Sequence, residues 1–395
     1  MTQDTKLVRI GAALAFALGA AASLAAQGTK PEKPVTPKEI EKLKRQIERE
    51  KLSRFELVFD SHDESGDLNN RLTYWRYGAR LYLNRGETTW FLTASRTAYA
   101  TPQDVLTANG TNVGLGASRP WGDHFEAQLE LGTSFLEGDT VTFNGLASLT
   151  AKPNEKLRYG VSLGRMSVDE SFLSAVGLTP VVGPFALSRV GPVMENRLAV
   201  NGSYRFPRQI DLFAEAALGS RSGNNIGSNS FRRAGGGIGY NPVARGEEEA
   251  LSLVRLSAAL FYFGFDDDRF GFGGASLLDT AYEPVPLELL GSDGLPTVPT
   301  PETPGTGGYF SPHRFVSRLV RLDVRGKPSS FFEYRAGLFV GSQSYTGSDS
   351  RRAGGVALDA ILHPGNRFSL PLSLVWDDVG PFEQHTFSAR LVARF

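Results

Sequence analysis

At 395 residues the chain is long enough for two or three ordinary soluble domains or for one large barrel. Lys plus Arg equal Asp plus Glu at 42 each, so no net field argues for nucleic acid, and 41% hydrophobic residues are too few for a bundle of membrane helices. The absence of Cys excludes disulfides and thiolate metal sites, while 44 Gly, 26 Phe and 12 Tyr suit β structure that turns often.

In chain order, Lys6 and Arg9 precede the apolar run IGAALAFALGAAASLA, which ends in small residues. This is the pattern of a secretory signal over 1–25, with Ser23 and Ala25 as the small pair and cleavage after Ala25. The run is short and Ala-rich for a membrane anchor, so the mature chain is expected outside the inner membrane. Residues 26–53 read as a periplasmic linker that holds one short helix, TPKEIEKLKRQIEREKL at 36–52. Thr36 can cap it, Pro37 suits its first position and Glu39 completes a capping box. Its stripe of Ile40, Leu43 and Ile47 is narrow, compatible with a solvated connector, with packing on a partner, or with a seat in a barrel mouth.

From Arg54 onward the period changes from helical to alternating, and one all-β unit is predicted over 54–395. The alternation predicts strands over 54–62, 71–84, 88–98, 112–119, 123–135, 140–150, 156–167 and 192–206. It continues over 209–219, 230–240, 250–265, 308–324, 329–345, 353–362, 366–376 and 384–395. About sixteen strands result, each long enough for a tilted crossing of a bilayer, which takes about 9–11 residues. Links such as NRGE, PWGD, KPNEK and HPGN are short and turn-like, whereas the alternate links are mostly longer, up to an outer loop at 266–307. Transmembrane barrels show this asymmetry, with short turns facing the periplasm; an even strand count then places both termini there.

Where alternation is clean the two faces differ sharply. Phe125, Ala127, Leu129, Leu131 and Phe135 oppose Glu126, Gln128 and Glu130; Leu198, Val200 and Tyr204 oppose Arg197, Asn201 and Arg205. Ile210 and Leu212 oppose Asp211 and Glu215, and Tyr334, Ala336 and Leu338 oppose Glu333 and Arg335. The chain ends on Phe387, Ala389, Leu391, Ala393 and Phe395, against Arg390, Val392 and Arg394. An Arg at the lipid midplane costs about 2–4 kcal/mol, so the polar sets are expected in the lumen. Arg76, Arg80 and Arg158 join them as predicted inward cations. Phe213, Phe261 and Phe263 are predicted inward as well, presenting apolar ring faces to the lumen. The mixed charge either lines a water-filled lumen with hydrogen-bonding groups or pairs with itself across strands. The faces of 88–98 and 308–324 are not assignable from the pattern.

No catalytic constellation emerges, and neither enzyme activity nor a cofactor or metal is expected. GGGIG at 235–239 lacks the helix a phosphate loop requires, so it reads as close packing. DDD at 266–268 lacks calcium-ligand spacing, and the five His include no i, i+4 pair.

Three stretches are more specific: SVDESFLSAVGLTPVVGP (167–184), GSRSGNNIGSNSFRRAGGGIGYNPV (219–243) and GGYFSPHRFVS (307–317). In this order they resemble the C-terminal barrel of the outer-membrane component of bacterial cellulose synthase, over roughly 54–395. The resemblance implies a sixteen-stranded outer-membrane channel that exports an exopolysaccharide, cellulose or a related glucan, by passive passage through a polar lumen. It also makes Phe387, Leu391 and the terminal Phe395 look like the signal read by the barrel insertion machinery. That family carries a long array of helical repeats before its barrel, and only 36–52 stands in that place here. A separate periplasmic repeat scaffold and an inner-membrane synthase are the partners it suggests, beside outer-membrane lipid and the polysaccharide itself. A plugged barrel that anchors a periplasmic partner, and a general diffusion porin, are the alternatives.

Overall fold

Sixteen strands follow one another from Arg54, one for each alternating stretch. They are β1 (Arg54–Gly66), β2 (Leu72–Arg85), β3 (Thr88–Ala100), β4 (Thr107–Trp121), β5 (Phe125–Leu136), β6 (Thr140–Ala151), β7 (Leu157–Ser167) and β8 (Val193–Arg205). The second half holds β9 (Ile210–Gly223), β10 (Ile226–Ala244), β11 (Leu253–Phe265), β12 (Phe315–Ser329), β13 (Phe332–Tyr345), β14 (Ser348–Leu362), β15 (Phe368–Val379) and β16 (Phe382–Arg394). The computed structural model describes residues 52–66, 72–101, 106–179, 188–246, 249–267, 309–346, 348–365, 367–380 and 382–395. The signal segment, the helix predicted at 36–52 except Leu52, and 268–307 of the long loop lie outside the described residues.

Each strand pairs antiparallel with its chain neighbours, and β1 pairs with β16, so the sheet closes into a barrel. Closure leaves no row of unpaired backbone N–H and C=O groups, which lipid cannot solvate. The seam is held on both faces. Outside, Leu57 lies opposite Leu391 and the Phe59 and Phe387 rings stand 6.3 Å apart. Inside, Ser388 Oγ donates to Asp60 at 2.7 Å. The Phe395 N–H donates to Ser53 O at 2.9 Å, so the final residue stays on the ladder.

Within the strands the large exposed apolar side chains fall on one register: Trp75 and Tyr77 on β2, Trp90 and Leu92 on β3, Leu129 and Leu131 on β5, Val320 and Leu322 on β12. That register is the barrel's outer wall, and the strand pattern gives the faces of β3 and β12 that the sequence left open. Among the described residues no helix is long and apolar enough to cross a membrane; the crossing elements are the strands.

The short links are tight because particular residues permit it. Gly86 and Gly122 take φ of 61° and 60° in the NRGE and PWGD turns, the left-handed region that a side chain resists. The other end differs from the expectation. SRSGNNIGSN and TGSDSR are not long loops: β9 runs to Gly223 and β10 begins at Ile226, and β13 runs to Tyr345 with β14 beginning at Ser348. The ladders simply continue past the apolar zone, where water accepts polar side chains on both faces and alternation no longer marks a strand. The connections after β7 and β11 remain long. The predicted strand 308–324 starts later, at Phe315, because Pro312 has no N–H to give a ladder.

Candidate functional site: the lumen and its closed mouth

At the end with the long connections, the segment after β7 turns into the barrel. Its short helix α1 (Phe172–Ala175) is capped reciprocally: the Ser174 N–H donates to Ser171 Oγ at 3.1 Å and the Ser171 N–H to Ser174 Oγ at 2.9 Å. All four helical residues are buried. Phe172, Ala175 and Val176 pack on Leu72, Tyr99, Ala108 and Leu136, from β2 to β5. Leu173 packs the other way, with Val193, Ile226, Phe231, Phe265 and Tyr309. The helix therefore bridges facing walls across the mouth. A third cluster joins Phe310 and Phe315 to Phe263, Tyr345 and Val379.

An ion-pair knot holds this plug. Arg221 of β9 reaches Glu170 Oε1 at 2.7 Å through Nη1 and Glu195 Oε2 at 2.9 Å through Nε. The second Glu170 oxygen accepts the Phe310 N–H at 2.7 Å, tying the two long connections together. Arg221 also stands 5.2 Å and 5.1 Å from the Phe265 and Tyr309 ring centres. Asp169 pairs with Arg76 at 3.6 Å, which anchors the same segment to β2. Buried Gln343 accepts the Gly380 N–H at 2.6 Å and donates to Arg352 O at 3.1 Å, joining β13, β14 and the β15–β16 turn.

Below the plug the lumen is polar. All seventeen residues predicted to face inward lie on the register opposite the outer wall. The structure divides them. Arg255 pairs with Asp211, Arg233 with Glu215 at 2.6 Å and Arg335 with Asp323 at 3.8 Å. Arg197 pairs with Glu195 at 3.7 Å, and Glu333 holds Lys327 at 3.0 Å and His363 at 3.2 Å. Arg394 donates to Ser369 at 3.3 Å. Among the described residues Arg80, Glu126, Glu130, Arg158, Arg205 and Arg390 form no ion pair and present their charges to the channel. Asn201 faces the channel from β8. Cross-strand pairing thus accounts for the wall around β9 to β13, and open charge dominates elsewhere.

Three cavities line this space. One of about 540 Å³ is bounded by Arg325, Lys327, Glu333, Arg335, Asp359, Ser373 and Arg390 near the short-turn end. One of about 470 Å³ lies against the plug, lined by Glu170, Arg197, Arg221, Arg233 and Phe263. A third, about 290 Å³, runs along Asp60, Arg76, Arg80, Glu130 and Asn144.

The inward aromatics follow a rule that only register reveals. Phe261 sits directly opposite Gly235, Phe213 opposite Gly237, Phe339 opposite Gly355 and Phe91 opposite Gly116. A Cβ on Gly237 would lie 2.6 Å from Phe213 Cζ, and one on Gly235 would collide with the Phe261 ring. Each ring therefore lies down on the wall across an inward glycine. Phe213, Phe261 and Phe339 stay part-exposed, with the Arg255 guanidinium 5.6 Å from the Phe213 ring centre, whereas Phe91 is buried beside Tyr82. Phe213 and Phe261 approach the glycines of β10 from either side, which explains GGGIG. Phe263 differs: it stacks on Phe315 at 4.7 Å and belongs to the plug. Gly235→Ala should force the Phe261 ring off the wall at a cost of about 1–3 kcal/mol. The measurement is the temperature at which the folded barrel converts to the slower-migrating form on a gel; Phe261→Ala in the same chain should restore it.

Sequence reasoning missed Glu170, Glu195, Arg221 and Gln343, because their roles depend on a loop folding inward. It missed Phe91, whose strand face the pattern left open, and Phe339.

A family model described as the C-terminus of cellulose synthase operon protein C matches residues 73–274, half of the chain. The chain belongs to this family. It is an outer-membrane barrel of cellulose export, with a polysaccharide as its substrate and other products of such an operon as its partners. Among solved structures, a bacterial polysaccharide outer membrane secretin superposes with a TM-score of 0.59 at 10% identity, over 87% of this chain and 99% of that one. At that identity the likeness shows the fold alone. OccK11 (OpdR) of Pseudomonas aeruginosa covers 87% of this chain and 96% of its own at 11% identity, with a TM-score of 0.39. CdiB of Acinetobacter baumannii covers 86% and 60% at 10% identity, with a TM-score of 0.42. No curated protein sequence matches the export barrel.

Proposed function

We propose that a nascent glucan chain enters this export barrel at the short-turn end, in the periplasm, and leaves past the plug at the cell surface. The observation that carries the reading is the shelf of Phe213 and Phe261 laid flat on β10, with the open charges of Arg80, Glu130, Arg158, Arg205 and Arg390 on other parts of the lumen wall. Flat rings offer apolar faces to the axial C–H groups of a sugar, and fixed charges on both sides hydrogen-bond its hydroxyls without selecting an ion. Neither contact is strong alone, as a channel requires: a chain must enter favourably and still leave. Transport is driven by synthesis at the inner membrane, with no chemistry in the barrel. A synthase there, a periplasmic repeat scaffold as a separate chain, and the insertion machinery reading Phe387, Leu391 and Phe395 complete the proposed set of partners.

The test is surface cellulose in cells that lack the chain and receive variants. Phe213→Ala with Phe261→Ala should leave folded barrel in the membrane and lower exported glucan several-fold; unchanged export would remove the shelf from the path. The plug also fits a second reading, an anchor that never conducts, and bilayer conductance of plug variants separates the two. Sidedness is tested by thiol labelling, since the chain has no Cys. Asp139→Cys, in the β5–β6 turn, should react with an impermeant maleimide on whole cells, and Asn154→Cys, in the β6–β7 turn, only after lysis.

A further inference from the structure

Arginine on a lipid-facing register is costly at mid-membrane and nearly free at the interface, so its placement carries information. Across the described strands, Arg96, Arg165, Arg232, Arg318 and Arg352 occupy the outward register toward the long-loop end. Toward the short-turn end only Arg85 and Arg119 do so among the described residues, and Arg119 pairs with Glu87 at 3.6 Å. Arg232 is taken by Asp266 at 3.1 Å, and Arg165 bonds Phe143 O at 3.1 Å and Asn196 at 2.9 Å. Arg318 and Arg352 are exposed and form no ion pair among the described residues.

These two are a pair by register. Arg318 on β12 lies opposite Ser342 on β13, and Ser342 lies opposite Arg352 on β14. Two guanidinium groups therefore flank one hydroxyl on the outer wall, their strands roughly 10 Å apart. Asp378, opposite Gly354 on β15, is the nearest acid by register and pairs with neither. Below them the same register turns apolar at Val320, Leu322, Leu338 and Val340, which are exposed to lipid. The arrangement has a greasy wall for acyl chains and, at its upper edge, a cationic fork with a hydroxyl between.

We propose that this edge binds a phosphate-bearing lipid of the outer leaflet, of the lipopolysaccharide class, with Arg318 and Arg352 holding its phosphorylated headgroup. Guanidinium groups match phosphate oxygens bidentately, and a lipid presents that phosphate at the height where its acyl chains begin. The inference rests on the long-loop end facing outward, which the thiol labelling tests separately; lipid retention in detergent does not depend on sidedness.

The full chain, purified in detergent, is titrated with bisphosphorylated lipid A, with the same lipid stripped of phosphate, and with phosphatidylglycerol, and retained lipid is read by native mass spectrometry. The expected result is half-saturation by bisphosphorylated lipid A at least tenfold below either other lipid. Arg318→Gln with Arg352→Gln should erase the difference, and Arg119→Gln should preserve it. Equal retention of the phosphorylated and stripped lipids overturns the proposal, as does equal retention of phosphatidylglycerol, or a difference that survives in the double variant. Should the double variant not fold, the wild-type comparison still decides. Arg352→Lys, which keeps the charge and loses the fork, is then expected between the two extremes.

Discussion

Replacing Arg221 by Ala should raise the conductance of the barrel in a planar bilayer. Arg221 is the shared cation of Glu170 and Glu195, with 14% of its side chain exposed against 25% and 10% for the carboxylates. Without it, Glu170 loses its cation and Glu195 keeps only the longer contact to Arg197 at 3.7 Å, and breaking such a part-buried pair costs about 3–5 kcal/mol. The wall cannot yield, because its strands are joined all round. The plug segment can, because α1 is four residues long and holds its place by the knot and by packing. The relief is for Glu170 to swing out with its helix, which also frees the Phe310 N–H. Conductance should rise from baseline to steady openings, while the protein still migrates as a folded barrel. Arg221→Lys should give an intermediate state, since a single ammonium cannot span both carboxylates as the fork does. A closed Arg221→Ala channel would mean that packing alone seals the mouth and that the ion pairs are dispensable to closure.

The second large effect contrasts neighbours in sequence. Leu131→Arg should largely abolish folded barrel in the outer membrane, and Glu130→Arg should not. Leu131 is 53% exposed in the middle of β5, where its side chain meets lipid, and an Arg there costs about 2–4 kcal/mol. Glu130 is one position along, on the lumen face, where a cation is solvated. Its charge reversal should instead shift the ion preference of the Arg221→Ala channel toward anions. The readouts are the heat-modifiable band in outer-membrane fractions and the reversal potential under a salt gradient. Equal loss for both variants would contradict the two-faced wall.

Much of this was legible in the chain because a barrel strand carries its address residue by residue. Leu129, Leu131 and Phe135 against Glu126 and Glu130 separate lipid from water by parity alone, and parity survives any error in strand ends. The expectation was weakest where that contrast fades. SRSGNNIGSN is polar on both parities, so it read as a loop, yet it is the continuation of β9 and β10 above the membrane. Arg96 and Arg318 blurred β3 and β12 for a related reason: they sit on the outer wall, but at a height where charge is tolerated.

The order of residues alone specifies the number of strands, the side of the wall each clean strand turns to lipid, and the end of the chain that meets the start. These follow from local periodicity, since every residue on a two-faced strand answers to lipid or to water and to nothing more distant. The folded barrel was needed to place α1 across the mouth, to join Glu170 to Glu195 through Arg221, and to lay Phe261 on Gly235. Those contacts link residues far apart in the chain but adjacent on the barrel. Their energy depends on closure and register, which no single stretch encodes.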